Sequence, residues 1–265
     1  MEVQSLGHRT DLALLRLGGS EVDDRGDCLV VRTPHNPNYW WGNFLLLQGV
    51  PPRAETATWL DRFAAELPEA RHVAIGFDGR TGGLEDLSGF AEVGLSCEAS
   101  TVMSATSVHE PPRPNRVADF QALSSDEDWA QSLELFVACS DPPDFGAEHR
   151  AFAERKVATN RALVEDGHGG WFGAFLDGRL VSQMGLLAAS PGLARFQAVE
   201  THPDARGQGL AGTLVHHVSR FGFEDLGAQK LVMVADPDYV AVRVYRSVGF
   251  VDGEMQLQAS RPPVG

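Results

Sequence analysis

The chain has 265 residues, 43% of them apolar and 22% charged, with a net charge of −14. Those proportions describe an ordinary globular protein, and no stretch approaches the roughly 20 apolar residues that span a bilayer. The acidity is spread evenly, −7 on either side of Pro114, so phosphate backbones are repelled and neither nucleic acid nor a membrane is an expected partner. The start, MEVQSLGHRT, has no apolar leader core, and Cys28, Cys97 and Cys139 are odd in number and far apart. They read as reduced thiols in a cytoplasmic protein, not as a disulfide framework or a zinc site.

Apolar runs predict strands at 28–32 and 44–47, a helix over 54–67, a strand at 72–77, a helix over 84–93 and a strand at 100–104. His109-Glu110-Pro111-Pro112-Arg113-Pro114 then sets three prolines in four residues, which neither a helix nor a central strand carries. The division read from this is a domain at 1–110, a linker at 111–114 and a second domain at 115–265. In the second part a strand is expected at 116–123 and a helix over 129–137, opened by acidic residues 125–128. Asp141-Pro142-Pro143 breaks that helix, and another covers 147–165. A hairpin follows, 171–176 and 180–188, turning at Asp177-Gly178, then a strand at 194–201. A helix opens near Gly207, with Leu210, Leu214, Val218 and Phe221 along one face. A strand at 230–235, a helix over 239–248 and a strand at 255–259 close the chain.

The first part reads as a worn copy of the second. Phe90-x-x-Val93-Gly94-Leu95 and Tyr245-x-x-Val248-Gly249-Phe250 share one pattern at an offset of 155 residues, each running into a strand. Helices often end in glycine before a strand, so the pattern by itself leaves duplication and chance both open.

Residues 199–212 carry the chemistry. Gly207 and Gly209 let backbone N–H groups converge where side chains would intrude. The helix behind them adds the unpaired N–H groups and positive dipole of its first turn. Such a loop suits a pyrophosphate; Ala211 and Gly212 keep the approach open, and Arg206 adds a permanent charge. Residues 207–212 are also literally G-x-G-x-x-G, so a dinucleotide-binding oxidoreductase must be weighed. Against it, polar residues 202–206 separate the strand from the first glycine, and only 53 residues follow Gly212.

Arg206-x-x-Gly209-x-Ala211 resembles the Arg/Gln-x-x-Gly-x-Gly/Ala signature of the GNAT superfamily of N-acyltransferases. Residues 238–250 are similar to its second signature, Asn-x-x-Ala-x-x-x-Tyr-x-x-x-Gly-Phe, with Asp238 in place of Asn. The element order over 115–265 is also that of the family. The resemblance implies an α/β (α+β) fold: a mixed central sheet flanked by helices, beside a smaller GNAT-like α/β subdomain as in tandem GNAT proteins. It implies acetyl-CoA as co-substrate, without metal, and direct attack by an amine. His216 and His217 face different sides of a helix and offer no metal-ligand spacing.

By the same resemblance, Val199 and Thr201 lie against the pantetheine arm, and Arg206, Gly207, Gln208, Gly209, Leu210 and Ala211 hold the pyrophosphate beside Gly212. Tyr245 stands where many members carry the acid that protonates the leaving thiolate; the alternative is a ring packed in the core. Where the ribosomal-protein N-terminal acetylases carry a Glu base, this chain has Met233. Glu200 is the candidate base. A base acting through water, or a Glu200 merely paired with Arg195 or Arg206, fits the residues equally. Asp141, Asp144 and Glu148 border the acceptor side and can meet a cationic amine. The first part lacks the signature, offers Pro51 and Pro52 in its place, and has Phe90 where Tyr245 stands; no acyl-CoA site is expected there. Tyr39-Trp40-Trp41 is its feature to watch, either a binding surface or a packed plug.

The expected function is acetylation of a small-molecule amine, with a homodimer conceivable. A protein or peptide acetyltransferase, a non-catalytic acyl-CoA-binding module and the oxidoreductase are the alternatives.

Overall fold

The computed structural model describes residues 1–140 and 146–263. The chain forms two compact units. Residues 1–103, 234–238 and 252–265 make the first; residues 104–233 and 239–251 make the second.

In the first unit, helix α1 (Leu6–Leu17) precedes strands β1 (Glu21–Asp24), β2 (Cys28–Arg32) and β3 (Phe44–Leu47). Helix α2 (Thr56–Glu66), strand β4 (Val73–Phe77), the short helix α3 (Ser88–Glu92) and strand β5 (Ser96–Ala105) follow. Neither α1 nor β1 stands out in the apolar pattern. Helix α1 is set by its start: the Ser5 hydroxyl accepts from His8 N, and Asp78 accepts from the main-chain N–H of Gln4 and Ser5 at 2.8 and 2.9 Å. Most buried polar groups in folded proteins find a partner in this way.

Tyr39, Trp40 and Trp41 are half-buried and pack against the core of this unit. Trp40 stacks on His72, 5.7 Å between centroids, and His72 Nε2 meets the Asn43 carbonyl at 2.9 Å. The Asn43 amide closes the loop by donating to the carbonyls of Asn36 and Tyr39.

The second unit carries β6 (Asp119–Ala122), α4 (Asp126–Cys139), α5 (Gly146–Glu165), β7 (Gly169–Leu176), β8 (Arg179–Ser190) and β9 (Leu193–Thr201). Helix α6 (Leu210–Glu224), strand β10 (Lys230–Ala235) and helix α7 (Val240–Arg246) complete its motif. Ser125 and Asp128 exchange bonds in a capping box that starts α4. Strands β6 to β9 form an antiparallel meander, and β10 pairs parallel to β9. Leu210, Leu214 and Val218 are buried on one face of α6, and Gly222 lets the helix approach closely: a Cβ there would meet Leu186 Cδ2 at 2.6 Å.

Two features depart from the linear division expected at 110–115. The last strand, β11 (Val251–Arg261), does not close the second part: it pairs antiparallel with β4, Leu257 opposite Phe77 and Arg261 opposite Val73. Its inward residues Leu257 and Ala259 lie in the core built by Val30, Leu45, Ile75 and Phe90. Nor is 111–114 a free linker. His109 N donates to Val248 O, Pro111 is buried, and Asn115 bonds Thr213 and Gln208 in the second unit. Pro111 lies against Gly212 of α6, where an added Cβ would meet its ring at 3.3 Å, and Asn115 bonds Thr213 on the same helix.

Candidate active site

The site starts from one extra residue in β9. Gln183 pairs with Glu200 and Gly185 with Gln197, so β9 spends two residues where β8 spends one. Ala198 absorbs the bulge at φ +47°, a left-handed conformation few non-glycine residues adopt. Glu200 thereby sits directly opposite Gln183, on the same face. The ladder from β9 to β10 ends at Arg195 and Val232, although β9 runs on to Thr201. From Phe196 onward that edge of β9 pairs with no residue of β10.

After β9 the chain turns through residues 203–205 into the glycine loop. Gly207 and Gly209 both have φ +77°. Gly209 is doubly required, because a Cβ would also meet the Arg113 carbonyl at 2.5 Å. Gly209 gives α6 no side-chain cap, so the first-turn N–H groups lack the partner that a Ser or Asp would supply. Arg206 Nε donates to the Thr201 carbonyl at 3.2 Å, bracing the loop against the end of β9.

These elements enclose a cavity of about 540 Å³, within the range of small-molecule sites. Val199, Glu200, Thr201, Arg206, Gly207, Gly209, Leu210, Ala211, Gly212 and Tyr245 all line it. Gln208 is not among the lining residues; its carbonyl accepts from Asn115 Nδ2 at 2.9 Å. Pro111, Pro112, Arg113 and Cys139 line the cavity without having been read as site residues. Asp141 and Asp144 lie outside the described residues, and Glu148 is on the first turn of α5.

Two groups in the cavity have shifted acidity. Burial pushes the Glu200 carboxyl up to about 7, against the opposing hydrogen bond from Gln183 Nε2 at 2.7 Å. Burial raises the Tyr245 phenol well above its usual range, and only 5% of the residue is exposed. Glu200 can therefore take a proton near neutrality, and Tyr245 stays protonated and able to give one. The Cys139 thiol is pushed up to about 11 by burial, so it is no thiolate nucleophile at neutral pH. Met233 is buried and has no proton to move.

Gln183 escaped the sequence reading, although an amide inside the apolar run 180–188 is the signal that finds it: a polar group buried in a strand must have partners.

The site thus joins a strand edge that β10 leaves unpaired, a helix start without a side-chain cap beside Arg206, and a carboxyl and a phenol lining one cavity. Residues 129–250 match the model of the acetyltransferase (GNAT) family and form a GNAT domain. No curated protein matches the sequence. Among solved structures, a functionally unknown conserved protein from Staphylococcus epidermidis superposes with TM-score 0.73 at 13% identity, over 93% of this chain and 95% of that one. A GCN5-related N-acetyltransferase from Kribbella flavida gives 0.64 at 17% identity, over 98% of both chains. A tandem GNAT protein from the clavulanic acid biosynthesis pathway gives 0.56 at 14%, over 97% of this chain and 88% of that one. Similarity at this identity speaks to fold alone. Among the described residues no helix is long and apolar enough to cross a membrane.

Proposed function

We propose that the protein transfers an acetyl group from acetyl-CoA to a primary amine of a small molecule. One observation carries this reading: the glycine loop (Arg206, Gly207 and Gly209) with the first turn of α6, Glu200 and Tyr245 line a single cavity. The first-turn N–H groups of α6 and Arg206 would receive the donor's pyrophosphate. The unpaired edge of β9 at Val199 and Thr201 would receive its arm. Glu200 takes the proton of the incoming ammonium, the free amine attacks the thioester carbonyl, and the carbon–sulfur bond breaks. Tyr245 gives its proton to the departing thiolate and is restored by the proton that the acylated nitrogen sheds.

A thermal-shift comparison with acetyl-CoA, free CoA, NAD and NADP tests the donor. At about 100 times its dissociation constant a ligand stabilises the fold by roughly 2.7 kcal/mol. Stabilisation by the CoA species, followed by thiol release in an amine screen, is the expected outcome. Stabilisation by the nicotinamide dinucleotides alone would overturn it.

A further inference from the structure

Gln183 is fully buried, and every hydrogen-bonding position of its amide is in use. Oε1 accepts from Ser132 Oγ at 2.5 Å and from Trp171 Nε1 at 3.2 Å. Nε2 donates to the Ser132 carbonyl at 3.1 Å and to Glu200 Oε2 at 2.7 Å. An indole N–H can only donate, so Oε1 must face Trp171 and the two N–H groups must point the other way. The amide cannot flip without setting donor against donor. Ser132 comes from α4, Trp171 from β7, Gln183 from β8 and Glu200 from β9, so four elements fix one carboxylate oxygen.

We propose that Gln183 is the positioning residue of the base: locked by Trp171 and Ser132, it presents one N–H that holds Glu200 Oε2 and keeps the carboxylate against the cavity. This rests on Glu200 being the base. A glutamine that merely ties strands together would serve the fold and leave the acidity of Glu200 alone. A glutamine that positions the base favours its ionised form, because the donor bonds a carboxylate more strongly than a carboxylic acid. The other titratable groups lining the cavity are Cys139 from α4, Tyr239 at the start of α7 and Tyr245 within it, Arg206 from the glycine loop and Arg113. The Cys139 thiol and the Tyr245 phenol are both shifted upward by burial and stay neutral near pH 7. Glu200 is therefore the lining group that titrates in that range.

The test is a carboxyl-carbon NMR titration of the full chain labelled with ¹³C-glutamate, the Glu200 signal being the one absent from Glu200→Gln. In the unsubstituted protein its midpoint should fall at about 7. In Gln183→Met, of similar shape but without a donor, it should rise by about one pH unit or more. Ser132→Ala removes one of the two groups that orient the amide and should move the midpoint the same way by less. A folded Gln183→Met with an unmoved midpoint overturns the proposal. If that variant does not fold, an unmoved midpoint in Ser132→Ala does the same. The base assignment is read separately, from the pH dependence of thiol release with acetyl-CoA and the best amine of the screen. If Glu200→Gln keeps the rising limb, both the base assignment and the proposal fail. If it loses the limb while Gln183→Met leaves the midpoint unmoved, only the positioning role fails.

Discussion

The two units build the same strand–loop–helix–strand motif, and only one leaves it open. In both, the two strands are parallel, β3 with β4 and β9 with β10. The helices that follow end alike: Leu95 N bonds Phe90 O and Phe250 N bonds Tyr245 O, both at 3.1 Å, with Gly94 and Gly249 at positive φ. The difference lies at the strand ends. The β3–β4 ladder stays zipped to its last residue, and Asp78 N adds a bond to Leu47 O at 2.8 Å. The β9–β10 ladder stops at Arg195 and Val232. Each unit has a cavity of about 540 Å³ beside its loop. That of the first unit is lined by Pro51, Pro52, Asp78 and Asp86; that of the second by Arg206 and the first turn of α6. Prolines have no N–H to offer and carboxylates repel phosphate. The same scaffold can therefore be closed by zipping one ladder, setting prolines in its loop and placing Asp78 and Asp86 in the cavity wall.

The comparison breaks most visibly at the proposed acid and base. Tyr245→Phe copies Phe90 into the second unit and should lower turnover by ~10²-fold or more while leaving acetyl-CoA affinity nearly unchanged; steady-state rates with a direct binding titration check this. Glu200→Gln should lose turnover on a similar scale, together with the rate limb that rises through about pH 7. Next is the loop. Gly209→Ala must hold an alanine at φ +77° against the Arg113 carbonyl. Acetyl-CoA affinity should fall ~10-fold or more, the equivalent of about 1.4 kcal/mol.

A subtler effect concerns stability. The Glu200 carboxyl is raised from 4.5 to about 7 in the folded chain, so its protonated form is favoured by folding. That contribution is complete below pH 4.5 and is lost as pH rises through about 7. Glu200→Gln has no proton to lose. Its stability relative to the unsubstituted protein should climb across that window by an amount on the order of 2–3 kcal/mol, measured by denaturant unfolding at pH 4 and pH 8. Smallest of all is the effect expected in the closed unit. Arg53→Ala removes an exposed side chain paired with Glu92 and should leave acetyl-CoA affinity unmoved.

Much of the open unit was legible because its chemistry is local. The glycines at 207 and 209, Arg206 and Tyr245 sit in short segments whose residue types announce their backbone needs. What stayed hidden depends on distant partners. Strand β11 looks like any closing strand until Leu257 is seen opposite Phe77, 180 residues away in the chain. Nothing near Pro111 says that its ring will be buried beside the cavity, and the bulge at Ala198 that brings Glu200 opposite Gln183 has no glycine to mark it. Helix α1 was missed for a related reason: its N-terminus is capped by Asp78 and by Glu254, far along the chain.

Calorimetric titration of the full chain with acetyl-CoA tests the central claim most directly. One site per chain, weakened in Gly209→Ala and unaffected in Arg53→Ala, is the result expected of one open and one closed unit. Two sites per chain, or a single site indifferent to Gly209→Ala, would contradict it.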